Sequence, residues 1–293
     1  MSPFIESMRI REWTKNLLVF AGVIFSHHFL EGPYLLRAAA GFVLFSLAAS
    51  SIYLFNDLLD REKDLAHPTK RLRPIPSGRL SPRAALAGSA LLAAPSLAAG
   101  FALSPGFGAS LAIYFALNLA YSVRLKKAVL LDILSIAVGF VIRAIAGVEV
   151  LKGFDEGVLI SPWLLVCTFF AALFLAACKR RSELLLLDEG AASHRAALDH
   201  YSVGLIDHIV AVTAGITVLS YSLYTIWPDT VEKFGTSSLI YTVPFVVYGL
   251  FRYMYLVHEK GLGGNPAEIL FSDRPLLVDL VLWAGAVLAI LYR

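Results

Sequence analysis

Nine apolar runs, each close to the length that a bilayer's hydrocarbon demands, dominate this sequence. A helix needs roughly 20 residues to cross about 30 Å of hydrocarbon. Runs of that order, parted by charge or by Gly and Pro, fall at 14–30, 36–57, 82–103, 107–123, 129–149, 160–178, 205–227, 238–257 and 275–292. The first is shortened by His27 and His28. Of the 293 residues, 58% are hydrophobic and only 16% are charged, far from the balance of a soluble domain. The chain therefore reads as an all-α, polytopic membrane protein forming a single domain over 1–293. Cys167 and Cys178 lie eleven residues apart in one apolar run and read as buried thiols, since one helix cannot bring them into a disulfide. Glu6, Arg9, Arg11, Glu12 and Lys15 precede the first run without a short hydrophobic core and cleavage site, so no removable signal peptide is expected.

The basic residues orient the runs. With the N-terminus cytoplasmic, the connections on that side carry 20 of the 25 Lys and Arg, from Arg9 through the 61–83 connection to Lys179, Arg180, Arg181, Arg195, Arg252, Lys260 and Arg274. The opposite side keeps Arg37, Lys152, Lys233 and Arg293, and Arg143 falls within a run. The bias predicts N-terminus in and C-terminus out.

The densest charge is NDLLDREKDLAHPTKRLRPIPSG, from Asn56 to Gly78. Asn56, Asp60 and Asp64 are spaced four apart and share a helix face at the mouth of the second run, with Asp57 beside them. Carboxylates on adjacent turns repel one another unless a cation sits among them, and an oxygen-only donor set suits Mg²⁺ completed by substrate phosphates. Asn56, Asp57, Asp60 and Asp64 are thus the candidate metal ligands, with Asp57, Asp60 and Asp64 the candidate catalytic carboxylates. Lys70, Arg71 and Arg73 follow, the charge that a leaving diphosphate needs. Pro68, Pro74, Pro76 and Gly78 break the helix and shape the loop. The plainer reading, a solvated helix end with local ion pairs, fits Glu62 and Lys63.

NDLLDREKD followed by HPTKRLRPIPSG resembles the first aspartate-rich motif and basic loop of the UbiA superfamily of intramembrane prenyltransferases. RIREWTKNLLVFAGVIFS, YSVRLKKAVLLDILSIAVGFVIRAIAG and KRRSELLLL narrow the likeness to its decaprenyl-phosphate phosphoribosyltransferase branch, over essentially the whole chain. The resemblance implies nine transmembrane helices bundled around a central cavity open to the cytoplasm and sideways to lipid. It implies a Mg²⁺-dependent transfer of 5-phosphoribose from phosphoribosyl diphosphate to a polyprenyl phosphate, in the plasma membrane, in arabinan-type cell-wall synthesis.

The family pattern also implies a second acidic cluster at the fourth connection and fifth run. Here Tyr121, Arg124, Lys126 and Lys127 supply hydroxyl and positive charge, but Asp132 is the lone carboxylate, and Ala128 and Ile136 flank it four residues away. Asp132 fits one metal and a different donor, or else it caps the fifth helix. Arg143, eleven residues on, projects from nearly the same face about 16 Å deeper. It either walls the substrate cavity or makes a buried contact. Lys15, Lys179 and Arg180 become phosphate-binding candidates mainly through the resemblance. The substrate-binding set is thus Lys15, Asn56, Lys70, Arg71, Arg73, Tyr121, Lys126, Asp132, Arg143, Lys179 and Arg180.

His67, His194, His200, His208 and His258 lack metal-ligand spacing. Glu268 and Asp273, in 261–275, read as helix-capping residues. No phosphate loop and no nucleophile elbow is present. Nothing asks for a nucleic-acid partner, and self-association stays open. Two other functions stay open: prenyl transfer from a prenyl diphosphate to an aromatic acceptor, which the lone Asp132 disfavours, and a transporter, which charges gathered at one membrane face disfavour.

Overall fold

The helices begin where proline and a polar cap say they should. The computed structural model describes residues 2–188, 200–264 and 266–292. Eight of its helices are long and apolar enough to cross a membrane, and the described residues contain no strand. They are α1 (Gly32–Leu59), α2 (Pro82–Leu103), α3 (Pro105–Val123), α4 (Leu131–Lys152), α5 (Pro162–Asp188), α6 (Val203–Ile226), α7 (Val243–Glu259, which the 3₁₀ turn Ser238–Thr242 extends to a span of 22 residues) and α8 (Arg274–Leu291). Proline stands in the first turn of α1, α2, α3 and α8, where its missing N–H costs nothing. Ser81, Ser202 and Asp273 cap α2, α6 and α8 by accepting the N–H of Ala84, Leu205 and Leu276. Asp273 thus caps as its sequence position suggests. Between α2 and α3 a single residue, Ser104, carries the turn in extended conformation.

The chain divides into two compact units: Met1–Ala128 with Ile142–Leu159, and Val129–Val141 with Ile160–Arg293. α4 contributes to both.

In the first unit, α1 and α2 are joined by a reciprocal pair in which the Ser51 and Ser89 hydroxyls each donate to the other's backbone carbonyl, at 2.9 and 3.0 Å. The first sequence run, 14–30, is not one long α-helix. It is a 3₁₀ helix, Ile10–Phe20, followed by a short α-helix, Ala21–Phe25. The reason lies in its partner. A 3₁₀ helix stacks every third residue and rises about 6 Å over three, the distance an α-helix rises over four. Trp13 donates to the Ser50 hydroxyl at 3.0 Å and Asn16 to the Ser46 hydroxyl at 3.0 Å, a three-residue step on this strap against a four-residue step on α1. Val19 and Gly22, the next two steps, are buried, and the backbones of Gly22 and Gly147 approach too closely for a Cβ on either. His27 then ends the segment in the left-handed conformation, φ 72°.

In the second unit α5 and α6 pack around Phe174, Ala177, Cys178, Ile206 and Val210, with Tyr253 and Leu256 of α7 in the same cluster. Both cysteines are free, as their spacing predicts. Arg181 of α5 donates to Asp207 of α6 at 2.7 Å, and His258 of α7 shares that carboxylate at 3.2 Å.

Candidate active site

α1 ends at Leu59, and after Asp60 the chain resumes as a short helix, Arg61–Ala66. The acidic motif presents two pairs, not the single face that four-residue spacing predicts. Asn56 and Asp60 turn toward the end of α3. The Ser122 hydroxyl donates to Asn56 Oδ1, and Lys126 Nζ lies 2.7 and 2.8 Å from the two Asp60 oxygens. Asp57 and Asp64, seven residues apart and both buried, turn to the other side. Arg73 Nη1 bridges them, 3.1 Å from Asp57 Oδ1 and 2.8 Å from Asp64 Oδ2.

The basic loop is held at three points. Ile75 is fully buried against Leu54 and Ala85. Arg79 forks onto Glu6 at 2.8 and 2.9 Å, which holds the Glu6 carboxyl below its usual range, and it also donates to the Leu72 carbonyl at 2.6 Å. His67 Nδ1 accepts the backbone N–H groups of Thr69 and Lys70 at 3.2 and 3.3 Å, which starts the 3₁₀ turn Lys70–Leu72. Burial foremost, then the Lys70 charge, holds the His67 ring below its usual pKa. Arg71 is exposed and Lys70 half-buried.

Arg9 is a member of this cluster that its sequence position did not reveal. It adopts the left-handed conformation, φ 52°, and so aims its guanidinium back along the strap to Asp57 Oδ1, passing 5.0 Å from the Tyr53 ring. A basic residue ahead of the first run reads as topology charge, and only its partner shows otherwise. Ser122 was missed for the same reason.

Arg143 is 5% exposed, donates to Asn16 Oδ1 at 2.8 Å and to the Tyr114 hydroxyl at 2.7 Å, and lies over the Phe45 and Tyr114 rings. Lys15 pairs with Glu12 three residues away. Tyr121 and Lys179 are half-buried.

In the second unit Asp132 is fully buried. Its Oδ2 accepts Arg180 Nε at 2.7 Å and its Oδ1 accepts the Tyr201 hydroxyl at 2.7 Å. Asp132 and burial together push the Tyr201 hydroxyl well above its usual pKa, burial first. His194 and Arg195 lie outside the described residues.

Among the described residues no three His, Cys, Asp or Glu side chains form a ready cation cage. What converges is the pair Asp57 and Asp64, whose oxygens meet at one nitrogen, the Arg73 Nη1. Two hard oxygen donors that already share one cationic group have the chemistry and the spacing to share a divalent ion.

The sequence pattern of the UbiA prenyltransferase family matches residues 17–267. The chain is 35% identical to the decaprenyl-phosphate phosphoribosyltransferase of Mycolicibacterium smegmatis, over all of this chain and 93% of that one. It is 32% identical to the Corynebacterium glutamicum protein of that name, over 98% and 86%. Its fold is similar to that of a UbiA homologue from Archaeoglobus fulgidus bound to GPP and Mg²⁺, with a TM-score of 0.75, 19% identity and 100% of both chains covered.

Proposed function

The chain belongs to the UbiA prenyltransferase family, a multi-pass membrane protein, and from that premise we propose that it transfers 5-phosphoribose from phosphoribosyl diphosphate to a polyprenyl phosphate of the decaprenyl type. The observation that carries the reading is the bridge in which Arg73, in the loop that also carries Lys70 and Arg71, joins Asp57 and Asp64, with Arg9 on the same Asp57: paired carboxylates with basic groups on them. Mg²⁺ is the cofactor. Asp57 and Asp64 would hold it, with Asn56 and Asp60 one turn away, and when bound it neutralises diphosphate charge.

The chain's own groups do the rest. Arg73, Arg9, Lys70 and Arg71 donate to the diphosphate oxygens as the C1–O bond breaks and negative charge grows on the leaving group. Lys126 holds Asp60 in place. The lipid phosphate oxygen forms the new bond to C1 from the opposite face, with inversion and release of diphosphate. That oxygen is already anionic near neutral pH, so no strong general base is required. Lys15 and Tyr121 serve as further phosphate contacts, whereas Arg143 and Arg180 act within the protein, on its own oxygens.

The site faces the cytoplasm of a plasma-membrane protein, in a cavity open to lipid. N-terminus in and C-terminus out requires a ninth crossing, and the strap is long enough for it: eleven 3₁₀ residues and five α residues rise about 30 Å.

The test uses purified chain, Mg²⁺, phosphoribosyl diphosphate labelled in the ribose, and polyprenyl phosphate. Label moves into the lipid extract with wild type and stays in water with Asp57→Asn. Turnover of a prenyl diphosphate with an aromatic acid, and none of the phosphoribosyl donor, would instead assign prenyl transfer.

A further inference from the structure

We infer that the described residues of this chain hold one carboxylate-lined site for a divalent cation, at Asp57 and Asp64, and that Asp132 is not a cation ligand but an internal counter-ion of Arg180. Both oxygens of Asp132 are committed to the chain: Arg180 Nε lies 2.7 Å from Oδ2, and the Tyr201 hydroxyl lies 2.7 Å from Oδ1. That hydroxyl in turn accepts the Leu130 N–H at 2.7 Å, fixing a non-glycine residue held at φ 66° just before α4.

The exposure of the arginine partners separates this carboxylate from those of the first motif, since all three carboxylates are buried. Arg73 and Arg9 are 33% and 28% exposed at their side chains, so either can leave its carboxylate for water or for a phosphate. Asp132 and Arg180 are 0% and 1% exposed. A cation entering at Asp132 would take from a buried guanidinium its one fully buried counter-ion among those described, leaving the partly exposed Glu183 at 2.5 Å, and would open the Tyr201 bond as well. One carboxylate also gives a hard divalent ion a single protein donor group, with Ala128 and Ile136 as its neighbours along the chain. A site with two cations on two half-sites therefore does not fit this sequence.

The inference rests on reading Asp57 and Asp64 as the cation pair, but not on the identity of the donor substrate. Its test is a count. Mn²⁺ is titrated into the purified full chain in nanodiscs and free ion is followed by its paramagnetic resonance, with wild type, Asp57→Asn, Asp132→Asn and the double variant Asp132→Asn with Arg180→Gln. One equivalent is expected in wild type, lost with Asp57→Asn and kept in both Asp132 variants. In the same samples Asp132→Asn lowers Tm by on the order of 10 °C, and the double variant regains much of it because no buried charge is left unpaired. The double variant also serves if Asp132→Asn alone does not fold. Two equivalents in wild type with one lost on substituting Asp132, or any pattern in which Asp57→Asn leaves the count unchanged, overturns the inference. A correct count without phosphoribosyl transfer would leave it standing and remove only the proposed donor.

Discussion

Lys126 Nζ lies 2.7 and 2.8 Å from the two carboxylate oxygens of Asp60, so the turn after α3 is tied to the break at the end of α1. Lys126 is 13% exposed at its side chain against 32% for Asp60, so the lysine is the sheltered partner. Lys126→Ala is expected to lower kcat/KM for phosphoribosyl diphosphate about 100-fold, and Lys126→Arg by less than tenfold, because a positioned positive group is worth that much where charge develops. Initial rates of label transfer to lipid decide it, and equal losses in the two variants would count against a charge role.

Arg73 competes with a divalent ion for the same two oxygens. Removing the competitor has opposite effects on binding and on chemistry. Arg73→Gln should bind Mn²⁺ at least tenfold more tightly than wild type, yet transfer phosphoribose at least a hundredfold more slowly, since the same guanidinium serves the leaving diphosphate. Isothermal titration and the transfer assay on one preparation test both halves. Weaker Mn²⁺ binding in the variant would contradict the competition.

Gly147 stands against the Val19 carbonyl, with no room for a methyl group between the strap and α4. Gly147→Ala is expected to cost about 1–3 kcal/mol or more through overpacking against backbone that cannot move aside. Gly285 meets nothing within 4 Å, and Gly285→Ala should be neutral or gain up to about 1 kcal/mol from helix propensity. Thermal unfolding in one detergent gives the comparison, and similar Tm values for the two variants would refute the close approach.

Asp273 sets an acid limit. It receives Arg252 at 3.2 and 2.8 Å and caps α8 through the Leu276 N–H at 2.9 Å, and the Arg252 bonds, more than the cap, hold its carboxyl below the usual range. The folded chain therefore keeps a charge that the unfolded chain gives up near pH 4. Its stabilisation is fully present above about pH 4 and is lost as pH falls through the lower folded value. The difference in Tm between wild type and Asp273→Asn should be constant from pH 7 to 5 and shrink below pH 4. A difference that grows on acidification would reverse the assignment.

The sequence was most legible where the medium dictates the structure. The run 82–103 and helix α2, Pro82–Leu103, coincide, and α3 begins two residues before its run, because hydrocarbon thickness and proline fix both length and start. The acidic motif was legible as a cluster but not in its geometry. Asp57 and Asp64, two helical turns apart, gather on Arg73, whereas Asn56 and Asp60, one turn apart, meet Ser122 and Lys126. Arg9 and Tyr201 were illegible because each acts on a partner 48 or 69 residues distant, and nothing local marks either. The strap read as an ordinary helix because its apolar length shows in the sequence while its three-residue step shows only in its contacts with α1.

Residues 10–20 and α1 stand to each other as two scales of a vernier, three divisions of one against four of the other. A change in a residue's identity there disturbs one mark, but a change in their number disturbs all that follow. One residue added between Trp13 and Asn16 would rotate Asn16 away from Ser46 and Arg143 and carry Val19 and Gly22 off their seats together. In natural variants of this chain, length in that stretch should be far less free than composition.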